Sequence, residues 1–168
     1  MTLSMYSASL PVFVRQLGNL SAILAKAAAH AEAKKIDPSV LVTARLAPDM
    51  FALARQVQIA TDGVKGCAAR LAGIEVPGFP DTETTFPELQ ERIAKTVKFL
   101  QSVKAAQIDG TEEKAIHLKV GGRELDFTGQ VYLLHFVIPN FYFHMTATYA
   151  ILRHNGVEIG KQDFLGSV

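Results

Sequence analysis

Apolar residues recur at threes and fours through four separate stretches of the chain, the spacing that lines one face of an α-helix. In the first stretch Leu10, Phe13, Leu17, Leu20, Leu24 and Ala27 share a face, with Pro11 tolerable only in a first turn or at a kink. That helix should end near Lys34 and Lys35, cations suited to a helix C-terminus, before "IDPS" turns the chain. The second helix is expected to open at "LAPDMF". Pro48 suits the first helical position there, and Asp49 sets a negative charge against the dipole. Met50, Leu53, Val57, Ala60, Val64, Cys67 and Leu71 form its buried stripe, and Gly73 with "PGFPD" ends it. Cys67 therefore reads as a small core residue rather than a reactive thiol.

The third helix carries a capping box in "TFPE", with Thr85 as cap, Glu88 three residues on and Pro87 in the first turn. Phe86, Leu89, Ile93, Val97 and Leu100 supply its apolar face, and Glu91, Arg92, Lys95 and Lys98 are assigned to the solvated one. Period-two alternation then replaces the helical period in "KAIHLKVGGRELDF", folded about the hairpin signal Gly121-Gly122. Pairing about that turn sets Leu118 opposite Leu125 and Ile116 opposite Phe127. The other face sets Lys119 opposite Glu124 and His117 opposite Asp126, a solvated pair of opposite charges rather than a catalytic dyad. The fourth helix follows a Thr128 cap and runs to Arg153, with Asn155-Gly156 as its stop. Its buried stripe is expected at Leu134, Ile138, Phe141, Met145, Tyr149 and Leu152. The pattern predicts an all-α protein: a four-helix bundle over 1–168 as one domain, with a small β-hairpin (115–127) inserted before the last helix.

Composition narrows the function classes. A net charge of +1, with no basic face on any helix, argues against a nucleic-acid partner. No stretch reaches the ~18 uncharged apolar residues of a membrane span. The start lacks the basic head and apolar run of a signal peptide. Cys67 is the only cysteine, so neither an intrachain disulfide nor a zinc knuckle can form, and a cytoplasmic setting is expected. Val12, Val14, Ile59 and Phe99 lie off the main stripes and suggest a face buried against a second copy, a homodimer.

Chemistry concentrates in "PNFYFHMTATYAILRHNG", residues 139 to 156. At about 100° per residue, His135 and His144 point to nearly opposite sides and cannot share an ion on a continuous helix. Asn140 and His144 do share a face, together with Val137, Thr148 and Ile151. A buried histidine and a buried amide need partners, so the two are either a structural hydrogen-bonded pair or half of a site. Pro139 cannot bond the carbonyl of His135, so the helix should kink or restart there, and irregular backbone in a bundle can line a cavity. "GVEIGK" lacks the spacing and the preceding strand of a phosphate loop. G-x-S-x-G, H-E-x-x-H and C-x-x-C do not occur.

The stretches "SMYSASLPVF", "LAPDMF", "PNFYFHMTATYAILRHNG" and "GKQDFLG" together resemble an uncharacterised bacterial family, DUF1993, over essentially the whole chain. That family is similar to the DinB-like superfamily of four-helix bundles, which includes metal-dependent thiol transferases and the mycothiol-dependent maleylpyruvate isomerases. The resemblance implies a site of one histidine early in helix two and an H-x-x-x-H pair on a later helix, holding a divalent metal such as Zn or Ni. Here His144 and Asn140 match the pair, and Asp49 stands nearest the helix-two position. An Asp/Asn/His set is harder and weaker for such metals than three imidazoles. The expectation is a degenerate site in a non-catalytic or small-ligand-binding protein, with Tyr6, Tyr142, Thr148 and Tyr149 as pocket residues. The alternative is a metal-dependent transferase or hydrolase that uses Asp49, Asn140 and His144 as ligands, with Arg153 also available to orient a substrate.

Overall fold

The computed structural model describes residues 3–167. Helix α1 (Leu10–Lys34) carries Pro11 in its first turn and ends at Lys35, which adopts the left-handed conformation with φ 55°. "IDPS" is more than a turn. The Asp37 side chain accepts from the Ser39 amide at 2.9 Å, and Pro38 opens the short helix α2 (Pro38–Val42).

Helix α3 (Leu53–Ala72) opens five residues later than the Pro48 signal suggests. Residues 43–52 instead form an irregular loop, closed where the Leu53 amide donates to the Ala44 carbonyl at 2.9 Å and where Arg45 donates to the Met50 carbonyl. Asp49 is exposed in that loop and Met50 is half-buried, so neither belongs to the buried stripe. From Leu53 onward the stripe is as expected, through Val57, Ala60, Val64, Cys67 and Leu71.

Helix α4 (Phe86–Ser102) has the reciprocal Thr85–Glu88 capping box. A short helix, α5 (Ala105–Ile108), leads to strands β1 (Ala115–Val120) and β2 (Arg123–Thr128). Their register sets Ile116 opposite Phe127, Leu118 opposite Leu125, Lys119 opposite Glu124 and His117 opposite Asp126, as the alternation predicts. Gly121 and Gly122 both take positive φ, 56° and 81°, which a two-residue turn of this hand requires. His117 Nδ1 and Asp126 Oδ1 meet across the strands at an exposed position.

The last helix is composite. After a short α6 (Gly129–Val131) the chain widens into a π-helical turn over Tyr132–Val137 before α7 (Ile138–His154), which carries Pro139 in its first turn. Thr128 stands at the N-cap position without a side-chain capping bond. The π-turn changes which residues face inward. Leu133 and Val137 are buried, whereas Leu134 is 41% exposed and Ile138 only half-buried, a correction to the expected stripe. A short α8 (Lys161–Leu165) packs back on α1, where Asn19 donates to the Phe164 carbonyl at 3.1 Å.

Helices α1, α3, α4 and α7 form a four-helix bundle in which α3 packs on both α7 and α4, and α4 also packs on α1. One continuous core joins Phe13, Leu17, Leu53, Val57, Leu89, Phe141 and Leu152. Among the described residues, no helix is long and apolar enough to cross a membrane.

Candidate functional site

His144 is 7% exposed and points from α7 toward α3, where its Nδ1 meets Gln56 Oε1 at 2.7 Å. The Gln56 amide is oriented in turn, because its Nε2 donates to the Phe51 carbonyl at 3.0 Å, a group that can only accept. Gln56 Oε1 is therefore the end facing the ring, Nδ1 carries the hydrogen, and Nε2 keeps its lone pair. Burial first, and the positive charge of Arg55 second, hold the imidazole pKa below its ordinary 6.5. The ring is neutral at pH 7.

Asn140 is not the partner of His144. It lies one turn earlier, half-buried, with its amide nitrogen 3.6 Å from where a Cβ on Gly63 would stand. There it lines a cleft of about 430 Å³ between α3, the π-turn and the hairpin. The α3 wall is a helical stripe of Arg55, Ile59, Asp62, Gly63 and Arg70. Tyr132, Phe136 and Val137 form the opposite wall, and Lys119 to Gly121 of the hairpin cover one side. The π-turn explains the cleft's shape, since a widened turn swings Tyr132 and Val137 onto one side of the helix.

Behind Asp62 lies a charge network whose burial composition did not suggest. Arg92, assigned to the solvated face of its helix, is 2% exposed. Its Nε donates to Thr61 Oγ1 at 2.8 Å, and its Nη1 donates to the Pro80 carbonyl at 3.1 Å and to Glu83 at 3.0 Å. Nη2 meets Asp81 at 2.9 Å and Asp62 at 2.8 Å. The contact with Asp62 Oδ1 is off the hydrogen-bonding direction and so is ionic rather than directional. Lys65, also buried, pairs with Asp62 at 2.7 Å and lies over the Phe79 ring at 4.1 Å. Arg55 pairs with Asp81. Arg55, Lys65 and Arg92 thus face Asp62, Asp81 and Glu83, and the balanced set pins the 79–83 loop onto α3 and α4.

The residues expected to form a metal site stand in different settings. Asp49 sits exposed in the loop before α3, Asn140 offers a weak neutral donor, and Arg55 places a positive charge near His144, which opposes a cation. Among the described residues no group of three His, Cys, Asp or Glu is placed to hold a metal ion. His135 and His154 are both exposed. Thr148 is buried and donates to the His144 carbonyl at 2.9 Å within the helix. Tyr6 donates its amide to Asp109 at 2.8 Å, Tyr142 stacks edge-on against Phe141, and Tyr149 does so against Phe164. None of these four lines the cleft. Cys67 is fully buried, and desolvation pushes its thiol up to about 12.

Gln56 and Arg92 are buried polar residues that pattern reading missed, although the spacing carried a signal for both. Gln56 falls between Leu53 and Ala60 on the buried stripe, and Arg92 between Leu89 and Thr96. Residue type argued for the surface, and position argued for the interior.

The sequence profile of one family, Domain of unknown function (DUF1993), matches residues 5–165. Among solved structures the chain is similar to a DinB family member protein from Shewanella denitrificans, at 43% sequence identity and a TM-score of 0.87. That match covers 97% of this chain and 92% of the other. No curated protein sequence gives a significant match.

Proposed function

The chain belongs to the family Domain of unknown function (DUF1993), with a DinB-like fold, and on that premise we propose that it is a non-catalytic, small-ligand-binding bundle. The observation that carries this is the cleft of about 430 Å³ where the π-turn meets the hairpin, a size ordinary for small-molecule sites. Its walls mix apolar surface from Ile59, Phe136 and Val137 with convergent polar groups from Arg55, Arg70, Asn140 and Tyr132. The Asp49, Asn140 and His144 position is then a degenerate metal site, in which His144 serves to join α7 to α3 through Gln56. A cytoplasmic homodimer belongs to the same reading. It is supported by a lone buried cysteine and by apolar side chains such as Phe51 and Phe143 that stand exposed, although Val12, Val14, Ile59 and Phe99 are themselves half-buried.

One observation favours the alternative, a metal-dependent transferase or hydrolase that uses Asp49, Asn140 and His144. The hydrogen bond to Gln56 leaves His144 Nε2 with the lone pair a metal ligand needs. Elemental analysis of the purified protein, beside His144→Ala and Asp49→Ala, separates the two. The binding reading expects no stoichiometric Zn or Ni, and a fall in stability for His144→Ala alone. Stoichiometric metal that is lost in both variants would overturn it.

A further inference from the structure

Arg70 is the least explained charge in the cleft. A basic residue in the last turn of α3 can reach the free carbonyls of the helix C-terminus. Arg70 instead keeps the usual lean of helical side chains toward the preceding turn. Its guanidinium lies back over Gly66, a full turn toward the N-terminus, so closely that a Cβ on Gly66 would stand 2.3 Å from Nη1. Tyr132, presented by the π-turn, accepts from the same Nη1 at 3.0 Å. Two independent features, a glycine that clears the space and a tyrosine hydroxyl that fixes the fork, thus hold this cation against the cleft. Among the described residues no carboxylate pairs with it, whereas Arg55, the other guanidinium on this wall, is already paired with Asp81. Lys119 of the hairpin faces the same space, also without an ion-pair partner among the described residues.

We propose that the cleft binds a small organic carboxylate, with Arg70 and Lys119 meeting the carboxylate and the apolar wall of Ile59, Phe136 and Val137 meeting the body. The Asn140 amide is placed to read a polar substituent on that body. This rests on the reading of the cleft as a ligand site, and adds the class of ligand. A guanidinium fork matches a planar carboxylate with two parallel hydrogen bonds. Phosphate is disfavoured by two features of the walls. Asp62 faces the same space and repels a dianion, and much of the lining is apolar.

Titration with benzoate, followed by amide resonances of the labelled protein, tests this. Benzoate should give saturable shifts at Gly63, Gly66 and Lys119–Gly121. The neutral isostere benzamide and inorganic phosphate should each bind at least about tenfold more weakly, a difference of ~1.4 kcal/mol. Arg70→Gln should cost a similar factor. Gly66→Ala should do so without touching the ligand, because its methyl displaces the guanidinium while the helix itself gains from alanine. Lys119→Gln, at an exposed strand position that cannot unfold the bundle, should weaken binding severalfold. Unchanged benzoate affinity in Arg70→Gln and Gly66→Ala, or equal affinity for benzamide or phosphate, overturns the carboxylate assignment. Neutral ligands that shift the cleft amides when benzoate does not would leave the ligand-binding reading standing and sink this one. Silence from every probe would sink both.

Discussion

His144 is held neutral by its surroundings, and that has a consequence for stability. Its folded pKa lies below the ordinary 6.5 because burial, and then the Arg55 charge, disfavour the imidazolium. In the unfolded chain neither influence remains, so between the two values the unfolded state binds the extra proton. Stability contributed by this residue is therefore intact above pH 6.5 and falls as the pH drops below it. Urea unfolding from about pH 8 to about pH 5 should show this loss in the wild type and a shallower one in His144→Gln; identical slopes would refute the assignment. Arg92 makes a second prediction at the same scale. Its removal leaves Asp62, Asp81 and Glu83 without their shared cation, and breaking a buried pair of this kind costs about 3–5 kcal/mol. Arg92→Met should sit near the lower end, since Asp62 and Asp81 are both more than a third exposed and water can take over part of their solvation. A loss under ~0.5 kcal/mol, typical of an ordinary surface position, would show that the network is incidental. His144 was legible as an inward-facing residue, but Arg92 and Gln56, the partner of His144, were not legible by type. A lone arginine or glutamine on an apolar stripe is assigned outward by polarity, and only the partners that surround it in space reverse that.

At the scale of single elements, sequence succeeded where the deciding chemistry is local. The Thr85–Glu88 capping box and the Gly121-Gly122 turn are each complete within a few residues, so the residues alone specify them. The start of α3 is not of that kind. Pro48 and Asp49 carry every local mark of a first turn, yet the loop is held by the Leu53 amide reaching back to Ala44 and by Arg45 capping Met50. The π-turn is the clearest case. Proline at 139 signals an interruption, and the interruption is there, but its form decides the register of everything upstream. An α-helix through this region would bury Leu134 and Ile138. The wider turn buries Leu133 and Val137. Leu133→Ala should therefore cost about 2–5 kcal/mol as a cavity in the core. Leu134→Ala should stay within about 0.5 kcal/mol, as at other exposed positions. Chemical denaturation of the pair checks this, and equal losses would mean that the turn is α-helical in solution.

Across the whole molecule, the bundle and the hairpin play separable parts. The four long helices share one core, whereas the strands β1 and β2 pair chiefly with each other and reach the bundle through Ile116 at their base and through Phe127, which packs on Tyr132 and Phe136. Beyond that base, Leu118 to Gly121 contribute one side of the cleft. The site is thus assembled from elements far apart in sequence: α3, the start of the last helix, and a hairpin tip. This is why the fold was readable from periodicity while the cleft was not. No single stretch of the chain contains it, and the motif-rich segment 139–156 supplies only Asn140 to its lining. Shortening the hairpin by replacing residues 119–124 with a two-residue turn keeps Ile116 and Phe127 in place and tests the separation directly. The bundle should keep its cooperative unfolding with a change in Tm under about 4 °C, the equivalent of ~1 kcal/mol for a chain of this size. Ligand binding in the cleft should weaken in the same variant, because its cover and Lys119 are gone. A large cooperative destabilisation would instead make the hairpin part of the structural core, and its contribution to the cleft secondary to that role.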